Sequence, residues 1–262
     1  MSVGAAIMLG VIQGLTEFLP VSSSGHLVLF QKIFGITEPA LLFDTMLHTG
    51  TLAAVCAVLW KDIWAILRRI IQPLTLYLII ATVPTVIAAL VFRGPLERAF
   101  ATGQFLGVSF LATSALLAAA ELLAKRARAK KQAMNWPDVL VIGIMQAVAV
   151  IPGVSRSGAT LSGALSRGLN RDFAARFSFL LSIPAILGAV VFQLKDLTGA
   201  ETAGIPAAAI IAGTLSAAIV GFFAVRLMLN IIREKSLWGF AVYTGLVGLL
   251  VLADQYALHL IF

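Results

Sequence analysis

Apolar runs long enough to cross a bilayer recur six times along this chain, at about residues 41–60, 74–92, 104–124, 174–193, 205–226 and 238–262. A spanning helix needs about 20 such residues, because lipid offers no partner to an unpaired backbone N–H or C=O. The chain is 60% hydrophobic and 12% charged, whereas a soluble domain carries about 25% charged residues. The runs are continuous rather than alternating, which excludes a β-barrel. The expected fold class is therefore an all-α polytopic membrane protein, with one integral-membrane domain over 1–262 and loops too short for a soluble domain. Cys56 is alone, so neither an internal disulfide nor a Cys-based metal site is available. The first residues lack the basic stretch and small-residue cleavage site of a secretory signal.

Two further apolar regions, about 3–34 and 139–169, are interrupted by Pro, Gly and Ser. Pro20 cannot donate a backbone hydrogen bond, and glycine favours turns. Each region reads as two half-helices around a turn, a re-entrant hairpin entering and leaving on one face. Such backbone at membrane depth is tolerated only where protein or a wet cavity satisfies it. The two regions also resemble each other. Gly10, Gln13, Ser22, Ser24 and Gly25 answer to Gly143, Gln146, Ser155, Ser157 and Gly158 at an offset of 133 residues. Lys61-Asp62 answers to Lys195-Asp196 at an offset of 134. The prediction is a duplicated unit, about 1–130 and 131–262, each a hairpin followed by three spans. Three spans place the hairpins on opposite faces, so the halves have inverted topology, an arrangement that puts sites near the midplane.

The net charge of +7 is a topology signal and not a nucleic-acid footprint. Lys61, Arg68, Arg69, the cluster within 125–131, Arg167, Arg171, Arg176, Arg226, Arg233 and Lys235 fall on one face. The other has only Lys32, Arg93, Arg98 and Lys195. The crowded face is expected to be cytoplasmic, which opens the first hairpin and both termini to the outside.

Chemistry-bearing residues gather at the two breaks. A buried carboxylate such as Glu17 costs about 2.5–3.5 kcal/mol at a helix centre unless something compensates it. Gln13 lies four residues before Glu17 on the same helix face, and two oxygen-bearing side chains so stacked suit a hard divalent cation. Ser22, Ser23 and Ser24 precede a half-helix, where capping is their ordinary role. The same helix start, with Gly25, also offers free N–H groups to a phosphate. His26 follows and titrates near neutrality, as a general base or nucleophile must, or it bonds a neighbouring helix. At the second break, Arg156 between Ser155 and Ser157, with Gly158 and Thr160 following, supplies a guanidinium that matches phosphate through paired hydrogen bonds. A plain Arg156–Glu17 salt bridge would leave the serines unexplained. Asp44 and His48, four residues apart, are lesser candidates for an outer layer of metal ligands. Glu121 and Asp138 read as interface residues, and Pro84 and Pro184 as kinks. The assembly suits a phosphorylated-lipid hydrolase or, alternatively, a polyprenyl-phosphate flippase or transporter.

Residues 13–26 (Gln-Gly-Leu-Thr-Glu-Phe-Leu-Pro-Val-Ser-Ser-Ser-Gly-His) and 152–160 (Pro-Gly-Val-Ser-Arg-Ser-Gly-Ala-Thr) closely resemble the two signature motifs of the undecaprenyl-diphosphatase, or bacitracin-resistance, family. Phe43–Thr51 looks like a third shared stretch. The resemblance implies an enzyme of the bacterial inner membrane that removes the terminal phosphate of undecaprenyl diphosphate, regenerating the carrier lipid for peptidoglycan synthesis. It implies six spans with two re-entrant hairpins, a periplasmic site, an Mg²⁺ or Ca²⁺ cofactor, a polyprenyl diphosphate partner within membrane lipids, and a homodimer. By motif position Glu17 matches an acid of the family's pattern. Ser23 matches the nucleophile or phosphate ligand, His26 the motif histidine, and Ser155, Arg156 and Thr160 the phosphate-binding residues. Gln13 stands where other members have Glu, so one negative charge is missing from the metal site. Glu17, lipid phosphates and water would supply most ligands.

Overall fold

The computed structural model of the chain describes residues 1–36, 41–126, 131–196 and 205–262. Its first helix, α1 (Val3–Thr16), starts where Ser2 Oγ accepts the N–H of Ala5 and stops ahead of Pro20. After a turn, α2 (Ser23–Ile33) begins under a Ser22 cap, whose Oγ accepts the N–H of Gly25 at 3.2 Å. The same device recurs in the second broken region. There α8 (Trp136–Val148) and α9 (Arg156–Ser166) flank a turn, and Ser155 Oγ accepts the N–H of Gly158 at 3.0 Å. These caps satisfy donors that helix starts leave unpaired. The second region begins earlier than expected because Asn135 and Asp138 form a reciprocal capping box around Pro137.

Between and after these regions run α3 (Leu41–Val58), α4 (Trp60–Arg68), α5 (Pro73–Val91), α6 (Arg93–Thr102), α7 (Leu106–Arg126), α10 (Arg171–Asp196), α11 (Ala207–Glu234) and α12 (Trp238–Ala253). Among the described residues there is no β-strand, only an isolated bridge between Lys131 and Leu169. The helices α5, α7, α10 and α11, and α12 together with the turn that continues it to Leu258, are long and apolar enough to cross a membrane, so the chain is a multi-pass helical membrane protein. The span expected at 41–60 is α3, and it ends where the chain bends by 76° at Leu59 and α4 leaves as a separate amphipathic helix. Lys61, Asp62 and Arg68 are the reason, since burying them along the axis of α3 would cost more than the bend. Residues 238–262 also divide. After Ala253 comes one π-turn, Asp254–Leu258, and the tail folds back so that Asp254 accepts the N–H groups of Leu260, Ile261 and Phe262. Pro84 and Pro184 lie inside continuous helices.

Packing crosses between the two halves. On α1, a Cβ at Gly10 would lie 2.4 Å from the carbonyl of Gly213, and one at Gly14 would lie 2.8 Å from that of Ala217, so only glycine lets α1 seat on α11. A Cβ at Gly143 would lie 2.9 Å from the carbonyl of Ala81, where α8 seats on α5. Close approach over small residues is the usual way helices associate in lipid. Helix α3 packs on α10, and α7 on α12. Around these seams Phe18, Phe43, Phe110, Phe177 and Phe179 are fully buried, while Ile79, Val83, Ile87 and Leu90 of α5 face outward.

The cation-crowded face is one physical end of the molecule. There Arg176 meets Asp62 at 3.3 Å, and Arg171 reaches both Glu121 and the carbonyl of Lys235. Residues 127–130 of the basic cluster lie outside the described residues. Glu121 and Asp138, expected at the interface, are buried within ion pairs instead. Asp138 is held by Lys131 at 3.0 Å and Arg167 at 2.8 Å. The opposite end carries Lys32 over the Phe262 ring and Arg93 over that of Phe192.

Candidate active site

The two turns abut. Ser157 Oγ donates to the carbonyl of Leu19 at 3.0 Å, and the N–H of Gly153 donates to Ser24 Oγ at 3.3 Å. Backbone in the left-handed region makes both turns: Gly153 has φ 86° and Ser22, unusually for a residue with a side chain, φ 71°. A Cβ on Gly25 would lie 2.7 Å from the Phe110 ring, so this glycine permits the close approach of α7.

Glu17 is the hub. Its Oε1 accepts from Arg156 Nη2 across the two turns at 2.5 Å, and its Oε2 accepts from Ser23 Oγ at 2.6 Å and Gln13 Nε2 at 2.9 Å. The guanidinium and three charge-assisted bonds compensate the buried carboxylate. His48, on α3, joins the group, with Nδ1 2.9 Å from Gln13 Nε2. An amide nitrogen only donates, so Nδ1 is a bare acceptor there. The same nitrogen lies 3.6 Å from Glu17 Oε2. Two buried atoms of this cluster have no protein partner, Gln13 Oε1 and Arg156 Nη1. Buried polar atoms are normally bonded, so among the described residues this acceptor and this donor stand out as able to take a ligand.

The other predicted residues divide. His26 is buried, but its nitrogens are engaged away from Glu17: Nδ1 donates to the carbonyl of Ser22 at 2.7 Å, and Nε2 accepts from the Tyr243 hydroxyl at 2.7 Å. Its ring stands edge-on to Phe110 and parallel to Tyr243. Tyr243 carries no signal of this role in the sequence beyond its place 133 residues after Phe110. Ser22 and Ser155 are caps, and Ser155 Oγ also lies 3.2 Å from Ser157 Oγ. Thr160 bonds the carbonyl of Arg156 at 3.0 Å and the hydroxyl of Ser178, supporting the arginine from beneath. Asp44 is drawn to Gln31 at 2.8 Å and is not brought to His48.

Among the described residues, no three of His, Cys, Asp and Glu gather as a metal cage. The donor set that is present, the Glu17 carboxylate beside the unpartnered carbonyl oxygen of Gln13, consists of oxygens and suits a hard cation short of ligands.

The paired turns of this multi-pass helical membrane protein join a carboxylate, a hydroxyl and a guanidinium, a set whose chemistry suits a phosphate-bearing ligand. Comparison with known proteins narrows the choice. The family model for the bacitracin resistance protein BacA matches residues 6–250. The chain is 46% identical over 254 residues to an undecaprenyl-diphosphatase of Carboxydothermus hydrogenoformans, covering 96% of this chain and 97% of that one. It is 41% identical to one of Alkaliphilus metalliredigens, covering 94% and 96%, and 39% identical to one of Halothermothrix orenii, covering 96% and 98%. The chain belongs to the BacA bacitracin resistance family.

Proposed function

We propose that this chain removes the terminal phosphate of undecaprenyl diphosphate. The lipid monophosphate it leaves is the carrier for peptidoglycan and cell-wall synthesis, and recycling it confers bacitracin resistance. One observation carries the reading: Glu17 ties Ser23, Gln13 and Arg156 together across two turns while leaving a donor on Arg156 and an acceptor on Gln13 without partners. A lipid transporter has no need of a hydroxyl poised against a carboxylate, and the relatives are named as diphosphatases, so the flippase reading is not favoured.

In the chemistry that follows, Arg156 Nη1 donates to an oxygen of the terminal phosphoryl group and offsets charge that grows during transfer, the main source of catalysis in such reactions. Ser23 Oγ attacks the terminal phosphorus. Its proton passes to Glu17 Oε2, the acceptor it already faces, and the anhydride P–O bond breaks to release undecaprenyl phosphate. Water then hydrolyses the phosphoserine, releasing inorganic phosphate. A divalent cation, Mg²⁺ or Ca²⁺, held by Glu17 and Gln13 Oε1, would supply further charge neutralisation. His48 keeps the Gln13 amide turned so that this oxygen stays free. His26, fixed by Ser22 and Tyr243, orders the start of α2 and with it the Ser23 hydroxyl.

Six spans with two re-entrant hairpins in inverted repeats best fit the fold, counting α3 with α4 as one broken span. The matched caps at Ser22 and Ser155 and the reciprocal seating of α1 on α11 and α8 on α5 support this. With the cation-crowded end cytoplasmic, the protein sits in the bacterial inner membrane and the first hairpin opens to the periplasm. Phosphate release from a polyprenyl diphosphate by the purified protein, lost in Ser23→Ala, tests the reaction; wild-type release by Ser23→Ala would remove the serine from it.

A further inference from the structure

At the end of the molecule away from the paired turns, the last turn of α7, the α9–α10 junction and the α11–α12 junction line an open cavity of about 480 Å³. That size suits a small ligand. It is separate from the candidate active site: its wall residue Leu165 lies nine positions along α9 from Arg156, about 14 Å of helix.

Lys125, Arg171, Arg233 and Lys235 line the cavity, against Glu121 and Glu234. Both carboxylates are engaged. Buried Glu121 takes Arg171 through both oxygens, at 2.7 and 2.6 Å, and also the N–H of Leu237 at 2.7 Å. Glu234 accepts from Arg233 at 3.0 Å. The lining is left with a surplus of two positive charges, which disfavours a cation and suits a phosphate-bearing anion. One wall is apolar, formed by Ala124, Leu165 and Leu169. Beside it on α7, Leu122 and Leu123 face outward, so an apolar helix surface leads from the mouth of the cavity. Basic pockets between membrane helices are where lipid headgroups dock. Cations placed only to orient the chain would need neither a concave wall nor carboxylates already taken by arginines.

We infer that this cavity is a second anion site, which takes the phosphate of a phospholipid headgroup with the acyl chains lying along α7. A soluble phosphate shares the recognised chemistry, so the test has an arm for each source. Full-length protein in detergent is titrated with phosphatidylglycerol or phosphatidylcholine of the same acyl chains, and bound lipid is counted by native mass spectrometry. The site predicts preferential retention of phosphatidylglycerol. Lys125→Ala with Lys235→Ala lowers its affinity by about 25-fold, some fivefold per cation removed. Lys61→Ala with Arg69→Ala, in the first turn of α4 and just past its end, leaves it unchanged. Lys125→Gln and Lys235→Gln, made singly, serve if the double variant does not fold, each lowering affinity about fivefold. Melting temperature and phosphate release stay at wild-type values in every variant. If inorganic phosphate displaces the lipid from wild-type protein but not from the Lys125/Lys235 variants, the phosphate group alone is recognised. If it does not, the whole headgroup is. Equal retention of the two lipids, or equal phosphatidylglycerol affinity in wild type and the Lys125/Lys235 variants, overturns the inference.

Discussion

Arg156→Lys separates the two tasks of the guanidinium. Nη2 is committed to Glu17, and Nη1 is buried without a protein partner. Lysine keeps the charge and can pair with Glu17, but it has one nitrogen and no second coplanar N–H to offer a phosphate. The loss is one charge-assisted hydrogen bond, about 1.5–3 kcal/mol, felt in the transition state. That corresponds to a fall in kcat/KM of about 10- to 150-fold. The Glu17 ion pair persists, so the melting temperature in detergent changes little. Arg156→Ala behaves differently. It strands the buried Glu17 carboxylate, and removing one partner of a buried pair costs about 3–5 kcal/mol. Ser23 and Gln13 remain bonded to Glu17, which places the expected loss at the lower end, about 3 kcal/mol. The assay is phosphate release from a polyprenyl diphosphate alongside thermal unfolding. Wild-type kcat/KM in Arg156→Lys would refute the reasoning, because the free Nη1 would then have no catalytic use.

Tyr243→Phe removes the hydroxyl that Nε2 of His26 accepts while keeping the ring; the lost hydrogen bond, about 0.5–1.5 kcal/mol, should lower kcat between about twofold and tenfold, measured by phosphate release. Gly10→Val would drive a side chain into the carbonyl of Gly213 and should destabilise the fold by more than about 1–3 kcal/mol. Gly188→Ala, where a Cβ meets nothing within 4 Å, should be neutral or stabilising by up to about 1 kcal/mol, and thermal melts compare the two. At the cation-crowded end, burial pushes the Asp138 carboxyl up, but Arg167, Lys131 and the N–H of Asn135 outweigh it and hold it below the usual carboxylate range. A depressed folded value means the stabilisation is complete above the ordinary range and is lost as pH falls below about 4. Melting curves should therefore drop there, and less steeply in Asp138→Asn.

Much of this architecture is legible in the residues because lipid makes strict demands. Every backbone group must be satisfied internally, so the Pro-Gly-Ser interruptions at 20–25 and 152–158 had to be turns. The matched caps at Ser22 and Ser155 follow from the 133-residue offset. Glu17, Gln13, Ser23 and Arg156 were recognisable because polar side chains deep in apolar sequence need partners. What escaped is instructive for the same reason. Hydropathy ends the span at about residue 60, but the 76° bend there and the amphipathic α4 beyond it are marked only by the periodicity of Trp60, Trp64 and Leu67 against Lys61 and Arg68. Glu121 and Asp138 find Arg171 and Arg167 at 50 and 29 positions' distance, which no local pattern reveals. Tyr243 is one hydroxyl in an apolar helix, and only the fold brings it to His26. His48 lay in view, but its value comes from the Gln13 amide across α1.

If Glu17 organises a cation-assisted phosphatase site between the two turns, release of phosphate depends on both the carboxylate and the cation. Inorganic phosphate released from undecaprenyl diphosphate by purified wild-type and Glu17→Ala protein, with and without a chelator, tests it most directly. The expected result is release by the wild type, its loss on chelation and its return with added Mg²⁺ or Ca²⁺, and a rate at least about 100-fold lower in a folded Glu17→Ala. Release by Glu17→Ala at the wild-type rate, indifferent to chelation, would contradict it.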